Sequence, residues 1–299
     1  MRILLLGADG FLGRHIATAL RALPQAELAT GGRRETHDLR VDLKTAQLAG
    51  FAADLAELAP DVVVNCAGAV AGSALHQAEV NARGPALLCE ALQLAAPTAR
   101  LVHLGSAGEY GACERDTSLT ESCEPRPGGI YGVTKLAGSL AVAESALDAV
   151  VLRVFNPVGP GSPAASLPGR LAGELAKALT DGGAVTVGDL SAYRDFVDPR
   201  DVARAVALAV TADGPLPRIL NIAGGRAQPV RAIAEGLVAA SGFTGRINES
   251  GAGSQRSAAV SWSQADISAA EKALGWQPAI SLPDTLRDLW QTAGTETAA

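Results

Sequence analysis

Three glycines, lying between a buried-strand pattern and a helical one, limit the fold of this chain more than any other feature. Arg2–Leu6 is a short apolar run of the kind that forms an interior strand. It leads straight into Gly7-Ala8-Asp9-Gly10-Phe11-Leu12-Gly13, after which Phe11, Leu12, His15, Ile16, Ala19, Leu20 and Leu23 recur with helical period. Each glycine has a use in that setting. Gly7 permits the tight turn, Gly10 lets a pyrophosphate approach the backbone, and Gly13 lets the helix pack closely on the sheet. The helix N-terminus, with Phe11 and Leu12 in its first turn, then offers free N–H groups to the phosphates. An ordinary Gly-rich turn lacks this strand before and helix after, so the arrangement predicts a dinucleotide-binding turn in a doubly wound, parallel α/β sheet.

Strand and helix patterns keep alternating beyond the turn. Glu27–Thr30, Val41–Leu43, Asp61–Cys66, Leu101–Leu104, Ala149–Val154 and Arg218–Ile222 read as strands. Helical period runs from Asn81 to about Ala95, onward from Tyr131, and over Leu167–Thr180 and Arg200–Val210. Past Ile222 the pattern is helical, near Val230–Ala240, Gln264–Leu274 and Pro283–Thr292. Apolar residues make up 48% of the chain and aromatics only 4%, so Ala, Leu and Val fill an interior that suits helices on a parallel sheet.

The adenosine ribose of a bound dinucleotide should meet the end of the Glu27–Thr30 strand, where NAD-specific enzymes usually carry an acid. Here Gly31-Gly32-Arg33-Arg34 follows, with no carboxylate to repel a 2′-phosphate and two guanidiniums able to bind one. This points to NADP, with NAD still possible. Asp42, beside Leu43, either accepts from the adenine amino group or caps the next helix. The small residues of Cys66-Ala67-Gly68 leave room for the cofactor at a strand end. Asn81 is equally an N-cap or a functional residue.

Tyr131-Gly132-Val133-Thr134-Lys135 opens a helical run, and positions four apart share one helix face. An ammonium beside a phenol lowers the tyrosine pKa from ~10 toward the working pH. Such a tyrosine gives a proton to a carbonyl oxygen or takes one from an alcohol. The spacing also suits a Tyr and a Lys that merely share a face, and the rest of the chain has to decide. Ser106 lies past the carboxyl end of the Leu101–Leu104 strand, where open α/β sheets bind ligands. The net charge of -6 argues against a nucleic-acid surface. No apolar run approaches the ~20 residues of a membrane span, and no leader precedes the first strand. Cys66, Cys89, Cys113 and Cys123 have no disulfide-like or metal-ligand spacing, which predicts reduced thiols, a cytoplasmic location and no metal. None of the four histidines has ligand-like spacing, and His103 reads as a satisfied core residue.

Together these features resemble the extended short-chain dehydrogenase/reductases, in their nucleotide-sugar epimerase, dehydratase and reductase branch. Gly7, Gly10 and Gly13 match the glycine motif, Tyr131 and Lys135 the catalytic pair, and Ser106 the serine/threonine position. Thr120-Glu121, Pro125 and Pro127 resemble the approach to that tyrosine. Leu152-Arg153-Val154-Phe155-Asn156, Gly159-Pro160-Gly161, Arg194-Asp195-Phe196-Val197, Ala265-Asp266-Ile267 and Leu274-Gly275-Trp276 resemble later motifs. The resemblance implies a Rossmann-type domain at 1–155 and 196–223, with a smaller, mostly helical substrate-binding part at 156–195 and 224–299. It implies Tyr131 as acid/base, Ser106 orienting the reacting oxygen, and Lys135 binding the nicotinamide ribose. Ser106, Ala107, Gly108, Asn156, Arg194 and Arg256 are then expected at a nucleotide-diphosphate sugar.

Dehydratases of this branch carry an Asp-Glu pair where this chain has Ala107 and Gly108, and Glu109 is displaced by one residue and expected to face away. A reductase and an epimerase remain. An epimerase keeps its NAD and gains nothing from NADP selectivity, so Arg33 and Arg34 favour a 4-ketoreductase of a 4-keto-6-deoxy nucleotide sugar. Epimerisation through a transient ketone is the alternative, and a non-catalytic cofactor sensor comes third because Tyr131, Lys135 and Ser106 are all retained. The helices from Asn81 and Tyr131 suit a homodimer interface.

Overall fold

The computed structural model describes residues 1–250 and 260–296. Seven parallel strands form the central sheet: β1 (Arg2–Leu6), β2 (Glu27–Gly32), β3 (Leu39–Arg40), β4 (Val62–Asn65), β5 (Arg100–Ser106), β6 (Ala149–Val154) and β9 (Ile219–Ile222). Their order is β3-β2-β1-β4-β5-β6-β9, which reverses direction at β1 and opens a crevice between β1 and β4 at their carboxyl ends. Alternate residues of each strand feed two apolar layers. Ile3 and Leu5 point with α1 (Phe11–Arg21) and α7 (Pro199–Thr211) into one, while Leu4 and Leu6 join α2 (Leu48–Leu58), α4 (Gly84–Ala95) and α5 (Ile130–Ala143) in the other. Burial on both faces is why these strands read as continuous apolar runs rather than alternating ones.

A third apolar cluster lies apart from the sheet. It joins α6 (Leu167–Asp181), β7 (Val185–Val187), α8 (Arg231–Ser241) and the helix Leu282–Glu296. The chain after residue 223 does not stay in that cluster, because Ala270 and Trp276 sit in the core beneath α1 and α7.

Several expected elements differ. The run expected to close a strand at Val41–Leu43 reaches β2 through the Val41 amide, which donates to the Gly32 carbonyl, and Asp42 then turns the chain. Asn81 does not start a helix: Ser73 caps α3 (Ala74–Ala78), a π-turn over Glu79–Arg83 follows, and α4 continues from it. The cause is Pro85, which has no N–H for the Asn81 carbonyl four residues back. That carbonyl turns outward onto α5, where a Cβ on Gly138 would meet it at 2.0 Å. β7, β8 (Tyr193–Asp195), β10 (Ala227–Pro229) and β11 (Ile247–Glu249) arise where helix or loop was expected. Three residues are too few for a period-2 pattern to register.

Candidate active site

The glycine turn is built as its spacing predicts. Gly7 has φ 84°, and a Cβ on it would lie 2.7 Å from the Ala67 nitrogen, so only glycine serves there. A Cβ on Gly13 would come within 2.0 Å of the Gly7 carbonyl oxygen, so α1 rests directly on the turn. Gly10 caps α1 with no side chain and stays exposed, with Phe11 and Leu12 half-buried behind it. A helix start uncapped by any side chain, above a turn with no room for one, fits a dinucleotide pyrophosphate.

Behind this cradle the loops at the ends of β3 and β4 are held by the π-turn. Asn81 is buried; its Oδ1 accepts from the Ala69 amide at 2.8 Å, and its Nδ2 donates to the Ala69 carbonyl at 2.8 Å and to Thr134 Oγ1 at 3.1 Å. That fixes the Cys66-Ala67-Gly68 loop against the helix bearing Tyr131. Arg83 donates to the carbonyls of Leu43, Lys44 and Ala46 at 2.8–3.0 Å. Asp42 is not a helix cap, since α2 starts at Leu48; its carboxylate accepts the Lys44 amide at 3.0 Å. Leu43 is buried. The Cys66 thiol donates to the Leu6 carbonyl at 3.0 Å, and burial pushes its pKa up to about 12, so it is no nucleophile.

Ser106, Tyr131 and Lys135 meet at the carboxyl end of β5. A point one Cβ bond above Gly108 lies 3.4 Å from Ser106 Oγ and 3.4 Å from Tyr131 Cδ1 and Cε1. Ala107 and Gly108 form a single 3₁₀ turn, and the Gly108 amide donates to Ser106 Oγ at 3.1 Å. With that acceptor site filled by an amide, the serine proton can be offered to another oxygen. The two elements touch because Gly132 has no side chain: a Cβ there would sit 2.2 Å from the Gly108 carbonyl oxygen. Lys135 is buried and donates to the Leu104 carbonyl at 2.6 Å. Burial lowers its pKa below the usual lysine range, and the Glu109 carboxylate pulls it back up.

Glu109 faces away from Ser106's open side, as expected of a residue one place out of register. It is fully buried, bonding Arg153 Nε through Oε2 at 2.8 Å and both Ser139 Oγ and the Ser106 amide through Oε1 at 2.8 Å. Arg153 also lies 4.5 Å from the Tyr110 ring centroid, and Tyr110 donates to Asn221 at 2.8 Å. Of this network beneath Ser106, Tyr131 and Lys135, only the Ser106-x-x-Glu109 capping-box spacing shows in the sequence. His103 is in the core, but the expectation that it is satisfied there fails: neither ring nitrogen has a hydrogen-bond partner among the described residues, and burial holds it neutral.

The end of β2 corrects the sequence reading. Two carboxylates approach it from outside the strand: Asp38 accepts the Thr30 amide at 2.7 Å, and Asp9, in the glycine turn, contacts His37 at 3.0 Å and Arg34 at 3.5 Å. Arg33 is exposed and makes no ion pair among the described residues. Reading the strand end alone missed acids that arrive from neighbouring turns. His15, given no role by its position, meets the Pro160 carbonyl at 2.9 Å and ties the 156–161 loop to α1.

On the substrate side, Asn156 takes φ 22° and donates to the Asp195 carbonyl at 2.9 Å. Arg194 is largely buried and donates to the carbonyls of Tyr193 and Val260 at 2.7 and 2.6 Å. Arg256 lies outside the described residues. Asp195 is buried and accepts the Ala265 amide at 3.0 Å; burial pushes its pKa up to about 7 against the pull of the Ala265, Gly224, Arg226 and Gly225 amides. A carboxyl raised this far from 3.8 adds stability that is full below the unfolded value and lost as pH rises through 7. Wild type should therefore gain on Asp195→Asn by on the order of 1 kcal/mol per unit as pH falls from about 7 toward 4. Urea unfolding of both proteins at several pH values measures it, and a pH-independent difference would refute the shift.

The model of the NAD dependent epimerase/dehydratase family matches residues 3–223. Among curated proteins, the chain is 35% identical over a 313-residue alignment to the dTDP-6-deoxy-L-talose 4-dehydrogenase (NAD(P)(+)) of Kitasatospora kifunensis, covering all of this chain and 97% of that protein. Among solved structures it is similar to RMD from Pseudomonas aeruginosa complexed with NADPH, with TM-score 0.85, 22% identity and 99% of each chain covered. It is also similar to MoeE5 in complex with UDP-glucuronic acid and NAD, with TM-score 0.83, 26% identity and all of both chains covered. The matched span carries the glycine cradle, Ser106, Tyr131 and Lys135 together, and on these grounds the chain belongs to the NAD dependent epimerase/dehydratase family, the extended short-chain dehydrogenase/reductases, as an NAD(P)-dependent enzyme.

Proposed function

We propose that this enzyme is a ketoreductase that uses NADPH to reduce carbon 4 of a 4-keto-6-deoxy nucleotide sugar. The observation that carries the reading is the meeting of Ser106 Oγ and the Tyr131 ring over Gly108, with no acid or base at 107 or 108 and Glu109 committed to Arg153. Dehydration needs a base and an acid in that place, and reduction does not. The cofactor, when bound on the glycine turn, supplies the hydride. Ser106 donates to the sugar carbonyl oxygen and holds it, and Tyr131 delivers the proton that completes the alcohol. Lys135, with one proton on Leu104, has others for the nicotinamide ribose and places a cation near the phenol. Asn156, Arg194 and Arg256 would serve the diphosphate, within a substrate part made of 156–195 and 224–299.

The likeness to a 4-dehydrogenase supports this, since a 4-dehydrogenase and a 4-ketoreductase run one hydride transfer in opposite directions. The second reading is a nucleotide-sugar epimerase with tightly bound NAD, favoured by the carboxylates of Asp9 and Asp38 near the ribose end. Ile130, Val133 and Leu140 are exposed on one face of α5, with Val133 at 47%, which supports a homodimer through this helix. One preparation tests all three points. Incubated with dTDP-, UDP-, GDP- and CDP-linked 4-keto-6-deoxy sugars, it should consume NADPH in step with product and run at twice its 30.3 kDa chain mass. Release of NAD on denaturation, with 4-epimers interconverted and no NADPH consumed, would establish the epimerase instead. A 30.3 kDa species would overturn the dimer.

A further inference from the structure

His37 stands at the centre of a hydrogen-bonded chain joining the glycine turn to the end of β2. Thr30 Oγ1 donates to Asp38 Oδ2 at 3.1 Å, and Asp38 Oδ2 also takes the Thr30 amide at 2.7 Å. The same threonine hydroxyl lies 3.1 Å from His37 Nδ1. The other ring nitrogen, Nε2, donates to a carboxylate, Asp9 Oδ2, at 3.0 Å. The ring therefore bridges the two elements, tying the Asp9 carboxylate to Thr30 through its two nitrogens. The ring is well enclosed, its side chain 7% exposed while that of Asp9 is 45% exposed. It packs against Gly32, where a Cβ would meet Nε2 at 2.6 Å. Arg34 Nε reaches the same Asp9 oxygen at 3.5 Å, leaving Arg33 as the guanidinium without an ion pair among the described residues.

This is the place where a dinucleotide's adenosine ribose meets the sheet. A carboxylate there pairs with ribose hydroxyls and repels a 2′-phosphate, whereas a guanidinium binds the phosphate. We propose that His37 sets cofactor selectivity by holding the Asp9 carboxylate back against β2, so that Arg33 can receive a 2′-phosphate; without His37, Asp9 turns to the ribose hydroxyls and the site favours NAD(H). The inference rests on the NADPH reading above and adds the residue that would enforce it. His37 acts through Asp9 and is a selectivity residue, not a catalytic one.

Binding of NADPH and NADH to the full-length protein by cofactor fluorescence, at one pH and ionic strength, tests it without reference to turnover. His37→Leu should weaken NADPH at least tenfold while NADH holds or tightens. His37→Leu/Asp9→Asn should restore a ratio of affinities close to wild type, which loss of folding cannot do. Equal weakening of both cofactors by His37→Leu, or a ratio left unmoved, overturns the proposal, as does a double variant that stays as unselective as the single one. The two readings fail separately. Wild type binding NADH more tightly than NADPH refutes the NADPH preference, and the role of His37 is then judged on whether its loss still shifts the ratio through Asp9.

Discussion

Tyr131→Phe should reduce turnover by at least ~10³-fold while leaving cofactor affinity within about twofold of wild type. The change removes one oxygen and little else. Tyr131 opens α5 half-buried, and its backbone carbonyl, which accepts from Thr134 Oγ1 at 3.0 Å, keeps that role in phenylalanine. The helix also stays anchored through Thr134 to Asn81 and through Gly138 to the Asn81 carbonyl. A positioned general acid contributes typically ~10²–10⁴-fold. Among the described residues, Ser106 can orient an oxygen but is a poor acid, and Glu109 is locked to Arg153. Single-turnover reduction with bound NADPH, alongside a cofactor titration, separates chemistry from binding. A variant that keeps wild-type turnover would remove Tyr131 from the mechanism and leave the cofactor-sensor reading in possession.

Glu109→Leu should cost stability on the order of 3–5 kcal/mol, because it strands a buried cation. Arg153 is 1% exposed, its Nη1 has no hydrogen-bond partner among the described residues, and Glu109 is its only ion-pair partner among them. The Tyr110 ring at 4.5 Å eases the burial but does not neutralise the charge. Two further donors, Ser139 Oγ and the Ser106 amide, lose their acceptor at the same time. Removing both charges in Glu109→Leu/Arg153→Met should recover a large part of the loss, since well-packed apolar residues often replace a buried pair without penalty. Urea unfolding of the three proteins decides it. If the double variant is as unstable as Glu109→Leu, the stranded charge is not the cause. Glu109→Leu also lowers the Lys135 pKa further by removing the carboxylate that supports its protonated form.

Much of the fold was readable from residues alone. β1 and β6 have the bounds their apolar runs suggest, and α1 begins directly after the second glycine, Gly10. These features are local. A period of two or 3.6, or a Cβ that cannot fit, acts over a few residues whatever the rest of the chain does. For the same reason the pattern alone puts Ser106 at a strand end and Tyr131 and Lys135 on one helix face. The readings that failed depended on distant partners. Asn81 resembled an N-cap because the effect of Pro85 falls four residues upstream and is completed by Gly138 on another helix.

What the sequence by itself determined is the parallel, doubly wound sheet, the glycine cradle and the places of Ser106, Tyr131 and Lys135 on their elements. Only the tertiary structure decided what surrounds them. Glu109 finds Arg153 from 44 residues away, and His37 finds Asp9 from 28, through the strand order β2-β1-β4-β5-β6 rather than through spacing along the chain. A carboxylate's charge state, partners and field depend on which groups lie within a few ångströms in space, and a one-dimensional pattern carries no such distance.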